Sequence, residues 1–199
     1  GSGSANTLNG ESNLTYDGVN FKIGTGVTIA TTSGVATFRS GRIDVGDALL
    51  NTSIGEGAGD AVTTGIRNTA VGMNALSATA AGQRNTAVGM NALLNNTTSY
   101  NSAVGQGALS SNTSGAANNA FGYQALAANT TGQHNVGVGN SALAANTTAG
   151  ENTAVGYQAM LDNTTGGSNS AFGHESLANN TIGMRNVAVG DASLQANTT

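Results

Sequence analysis

From Asn51 onward the apolar and polar positions recur with a period of 17 residues, which is neither the 2 of a lone strand nor the 3.6 of a helix. Aligned on its first Asn, the unit starts at Asn51, Asn68, Asn85, Asn101, Asn118, Asn135, Asn152, Asn169 and Asn186: nine copies, one spacing of 16, and a last copy cut short at Thr199. Such self-similarity marks a stacked array, whose units bury apolar surface only against their neighbours. Numbering the positions 1–17 lets the chain be read column by column. Position 4 is Ile54, Val71, Val88, Val104, Phe121, Val138, Val155, Phe172 and Val189, and position 3 is almost always Ala. Positions 1–4 therefore read as a short strand with β-branched residues on one face. Position 5 is Gly in every copy, from Gly55 to Gly190, which implies a positive φ or a backbone approach too close for a Cβ.

Positions 8 and 9 form a small–large doublet, Ala75-Leu76 through Ala142-Leu143, with Ala159-Met160 and Ser176-Leu177 as variants. A doublet does not alternate, so it fits one helical turn or a corner better than a strand. Position 12 is Asn from Asn96 on, usually followed by Thr-Thr and Gly, which is turn chemistry. Asn at positions 1 and 12 predicts ladders whose amides bond along the array. The expected fold is mainly β: a 17-residue-repeat solenoid with a short strand plus a turn or helical turn in each repeat. Coils about 4.8 Å apart would make a rod of roughly 40 Å.

The expected buried side chains are the Val of position 4 and the Leu of position 9. That is little apolar surface to set against the ordering of 17 residues per coil. Aromatic residues make up 4% of the chain and Trp is absent, so large core side chains are scarce too. Three chains around a common axis would bury more, and the Ala and Gly columns permit close contact between chains. An elongated homotrimeric fibre is therefore expected.

Residues 5–50 lack the unit and read as a short-strand cap or linker ahead of the array at 51–199. Leu14-Thr15-Tyr16 and Val19-Asn20-Phe21 flank Asp17-Gly18, a hairpin signal because both turn residues tolerate positive φ. Val27-Thr28-Ile29, Val35-Ala36-Thr37-Phe38 and the Ile43–Val45 stretch read as further short strands. Residues 1–4, Gly-Ser-Gly-Ser, look like a cloning scar, so the natural N-terminus is expected to be missing.

Charge and chemistry narrow the function. A net charge of −4 from six basic and ten acidic residues, with no basic stripe, argues against a nucleic-acid partner. No apolar run reaches the length of a membrane span, so membrane insertion is not expected. With no Cys there is no disulfide framework and no report on redox compartment. Gly55-Glu56-Gly57-Ala58-Gly59 and Gly105-Gln106-Gly107 fall on the Gly column and lack the Lys and long helix of a phosphate loop. His134 and His174 occupy different columns and make no metal pair. The carboxylates Glu56, Asp60, Glu151, Asp162, Glu175 and Asp191 are scattered among columns, and no Ser or Thr sits in a nucleophile turn beside a His and an acid. No catalytic residue, metal or cofactor is expected, and the chain does not read as an enzyme. The Asn-Thr-Thr and Asn-Thr-Ser triplets match a glycosylation pattern because the turn is repeated.

Asn152 to Gly166, Asn-Thr-Ala-Val-Gly-Tyr-Gln-Ala-Met-Leu-Asp-Asn-Thr-Thr-Gly, and the similar Asn118 to Gly132 resemble repeats of long tail-fibre proteins of tailed bacteriophages and related trimeric bacterial surface proteins. The stretch Asn13 to Gly24 is similar to tail-fibre segments from phages of cyanobacteria and other marine hosts, so the resemblance covers most of the chain. Asn-Val-Ala-Val-Gly at Asn186 to Gly190 is more distantly similar to the head repeats of trimeric autotransporter adhesins, whose period is shorter. The resemblance implies a trimeric fibre on a virion, or else on a bacterial cell surface, with other tail-fibre or baseplate proteins as partners. It supplies no catalytic residues.

Positions 6 and 7 and positions 16 and 17 vary in charge and size, position 17 reading Arg67, Arg84, Tyr100, Ala117, His134, Glu151, Ser168 and Arg185, so these columns are expected to face solvent. If the array binds a host polysaccharide or protein, Tyr100, Tyr123 and Tyr157 with Arg67 and Arg84 are the candidates, since aromatic faces and planar donors suit sugars. Three functions follow: a shaft segment supporting host attachment, an adhesin module binding a host glycan or protein through its variable columns, and an ice-binding solenoid. The last needs Thr spaced two apart on one face, whereas the adjacent Thr-Thr pairs of the turn would point apart.

Overall fold

The computed structural model describes residues 14–16, 21–23 and 49–199. The chain divides into two compact units, Gly1–Ile43 and Asp44–Thr199. In the first, β1 (Leu14–Tyr16) and β2 (Phe21–Ile23) pair antiparallel with Tyr16 opposite Phe21. An antiparallel pair is present with the expected first strand, but its second strand is Phe21–Ile23 and not the expected Val19–Phe21; residues 17–20 lie outside the described residues. The other expected strands at 27–29, 35–38 and 43–45 lie outside the described residues.

In the second unit each repeat is one coil of a parallel β-solenoid. Nine three-residue strands occupy positions 2–4: β3 (Thr52–Ile54), β4 (Thr69–Val71), β5 (Thr86–Val88), β6 (Ser102–Val104), β7 (Asn119–Phe121), β8 (Val136–Val138), β9 (Thr153–Val155), β10 (Ser170–Phe172) and β11 (Val187–Val189). They form one parallel sheet in chain order, each residue opposite its counterpart in the next coil, as in Thr69 with Thr86. The register survives the 16-residue coil, where Val88 pairs Val104.

One expectation narrows and another changes. Of the two forms expected for the Ala-Leu doublet, it takes the corner: position 9 is left-handed in coil after coil, as at Leu76 (φ 55) and Leu126 (φ 54). Positions 7 and 17 are left-handed too, as at Gln124 (φ 53) and His134 (φ 58). The change concerns the core. Ala of position 3, Ala of position 8 and Leu of position 9 are buried, whereas position 4 is half-buried or exposed, at 42% for Phe121 and 50% for Ile54. Alternation along the strand decides this: if position 3 points inward, positions 2 and 4 point out. The interior admits nothing larger at position 3, because a Cβ placed on Gly137 already meets Leu126 Cγ at 3.3 Å. The β-branched column is therefore the outer face of the sheet.

Asparagine closes the coils. The backbone N–H of each position-1 Asn donates to Oδ1 of the Asn one coil earlier at 2.8–3.0 Å, from Asn68 on Asn51 to Asn186 on Asn169. Its Nδ2 donates across the coil to the carbonyl of position 15, as from Asn118 to Gly132 O at 2.8 Å. The position-12 Asn meets the same carbonyl from the other side, Asn129 Nδ2 to Gly132 O at 3.1 Å, and donates also to Oδ1 of Asn112 at 2.8 Å. Both expected ladders are present, and they brace each coil internally as well as joining it to the next. In the 16-residue coil Thr98 supplies the carbonyl, accepting from Asn85 at 2.7 Å and Asn96 at 2.9 Å. Asn186 Nδ2 is buried without a partner; its counterparts donate to a carbonyl 14 residues further on, as Asn169 does to Gly183.

The Gly of position 5 satisfies both of the reasons offered for it. At Gly89 φ is +129°, and a Cβ would lie 2.7 Å from the carbonyl carbon and oxygen of Gly105 in the next coil.

Candidate functional site

The outer face of the nine-stranded sheet is the surface that the repeat presents most regularly. It carries two columns. Position 2 holds Thr52, Thr69, Thr86 and Thr153 with Ser, Asn or Val elsewhere, and position 4 holds the Val, Ile and Phe side chains. Neither column contains a charged residue. Position 17 borders the face on the side where the chain enters the strand, and position 6 borders it where the chain leaves, beyond the Gly.

The five candidate residues divide between these borders. Arg67, Arg84 and Tyr100 lie on position 17 and are exposed. Arg84 and Tyr100 meet across one coil: a guanidinium nitrogen donates to the phenol oxygen at 2.8 Å, and the guanidinium carbon stands 5.5 Å from the ring centroid. The paired groups combine a charge-assisted hydrogen bond with a cation–π contact. Tyr123 and Tyr157 lie on position 6, exposed and two coils apart with Asn140 between them. The candidates thus form two groups, one along each border.

Tyr157 stacks on His174 of the next coil, with ring centroids 5.3 Å apart and planes 10° from parallel. His174 Nδ1 is 3.0 Å from Asp191 Oδ1 one coil further on. Position 6 thus carries a run of three side chains linked through His174, of which Tyr157 alone was a candidate from the sequence. His134, on position 17, borders an open depression lined by Thr131, Gln133, Thr148, Gly150 and Glu151. Among the described residues no three His, Asp or Glu side chains gather as metal ligands, and no helix is long and apolar enough to cross a membrane.

The asparagines of the repeated Asn-Thr-Thr triplets, such as Asn129, Asn146 and Asn163, are fully buried with Nδ2 committed to the ladder. Their recurrence has a structural cause. The residues not expected from the sequence are the exposed apolar ones of position 4, Ile54, Val104, Phe121, Phe172 and Val189. The available signal was the constant Ala between two larger neighbours, which marks the inward residue of a three-residue strand. Comparison with protein-family models, curated proteins and solved structures finds no match for this chain.

Proposed function

We propose that the array is a shaft segment of a homotrimeric fibre like the tail fibres its repeats resemble, setting length and transmitting orientation to support attachment to a host. On this reading its place is the virion, its partners are copies of itself and neighbouring tail-fibre or baseplate proteins, and its chemistry is structural rather than catalytic. One observation above all supports it: the bonded Asn columns and the strand register continue from coil to coil through the 16-residue repeat without a break. An array built of such equal increments tolerates changes in length, because each coil contacts only its neighbours. A chain carrying two additional copies of Asn118–His134 is expected to fold and to lengthen the array by about 10 Å in small-angle scattering. Loss of folding on that insertion would contradict the reading. A glycan array is expected to give no specific binding; binding lost in Tyr123→Ala or Tyr157→Ala would replace the shaft with an adhesin.

A second reading has gained an observation. Four coils place Thr at position 2 on the outer face with Val or Ile two residues on, which supplies one Thr column where an ice-binding face needs Thr at both positions. Asn119, Val136 and the two Phe residues interrupt that order, which favours the shaft. Thermal hysteresis in a dilute solution of the chain would reverse the preference.

A further inference from the structure

We draw no further inference here: the strongest candidate, the exposed apolar strip that Ile54, Val104, Phe121, Phe172 and Val189 form on the outer face of the sheet, carries none because nothing in the structure shows what covers it.

Discussion

Asn129 illustrates how one residue type holds the coil. Its Nδ2 donates to Asn112 Oδ1 and Gly132 O, and its Oδ1 accepts from Asn146 at 2.9 Å, all within a fully buried column. Removing it takes a donor from Asn112 Oδ1 and an acceptor from Asn146 Nδ2 in the neighbouring coils, while Gly132 O keeps its bond from Asn118, and a buried group left unpaired costs about 1–3 kcal/mol. Asn129→Ala is therefore expected to lower stability to urea by more than about 2 kcal/mol. A loss no larger than that of an exposed substitution such as Gln133→Ala would deny the ladder its role. Gly89→Ala tests the other invariant column. Its Cβ would meet the Gly105 carbonyl at 2.7 Å and its φ would stay at +129°, a conformation forbidden to an L side chain. Destabilisation of at least about 2 kcal/mol in a urea titration is expected. A neutral result would mean that the coils can part there without penalty.

Each coil joins a three-residue strand to corners whose bonds run to both neighbours. Gly122 N–H donates back to Val104 O at 2.8 Å, whereas Leu126 N–H donates forward to Ala142 O at 3.0 Å. Because the strand is so short, its inner face is one Ala and its opposite wall one Leu. Leu126→Ala is expected to cost about 2–5 kcal/mol by opening a cavity between coils, readable as a shift in the urea midpoint; a cost below that of Val138→Ala would return the core to position 4. Deletions distinguish corner from strand. Removing Thr131 shortens the turn as in the coil whose Thr98 carbonyl serves both Asn side chains, and the array is expected to fold. Removing Ala120 turns the strand over and puts a large side chain inside, and protection of amides from exchange in that coil should be lost. Equal effects of the two deletions would contradict the assigned register. The period, the number of coils, the Gly column and both Asn ladders were legible in the sequence, because each is a constant column with a backbone or amide reason behind it. Which apolar column was buried was not. Hydrophobicity ranks Val above Ala, but the narrow coil admits only a methyl at position 3. The left-handed residues at 7, 9 and 17 were equally hidden, since Leu, Gln, Arg and Tyr give no sign of positive φ. Among the candidate binding residues the expected exposure was legible, but the pairing of Arg84 with Tyr100 and of Tyr157 with His174 needed the coil-to-coil register.

For the whole array, the buried interior consists of Ala side chains, one column of Leu or Met at position 9 and amides, while the Val, Ile and Phe side chains of position 4 line the outside. Hydrogen bonds between coils and the buried Leu column both join neighbouring repeats, and apolar surface is left over on the outside. Substitutions on position 4 should then leave the folding of one chain intact: Phe121→Lys with Phe172→Lys is expected to retain the β circular dichroism of the parent. Loss of that spectrum would instead make position 4 part of the fold of the single chain. Association is the most direct test of the fibre account. Light scattering after size-exclusion chromatography of the unmodified chain should give three times the 19.4 kDa chain mass. A single species at 19.4 kDa, unchanged on concentration, would mean a self-sufficient solenoid whose apolar face is open to solvent, and would contradict the trimeric shaft.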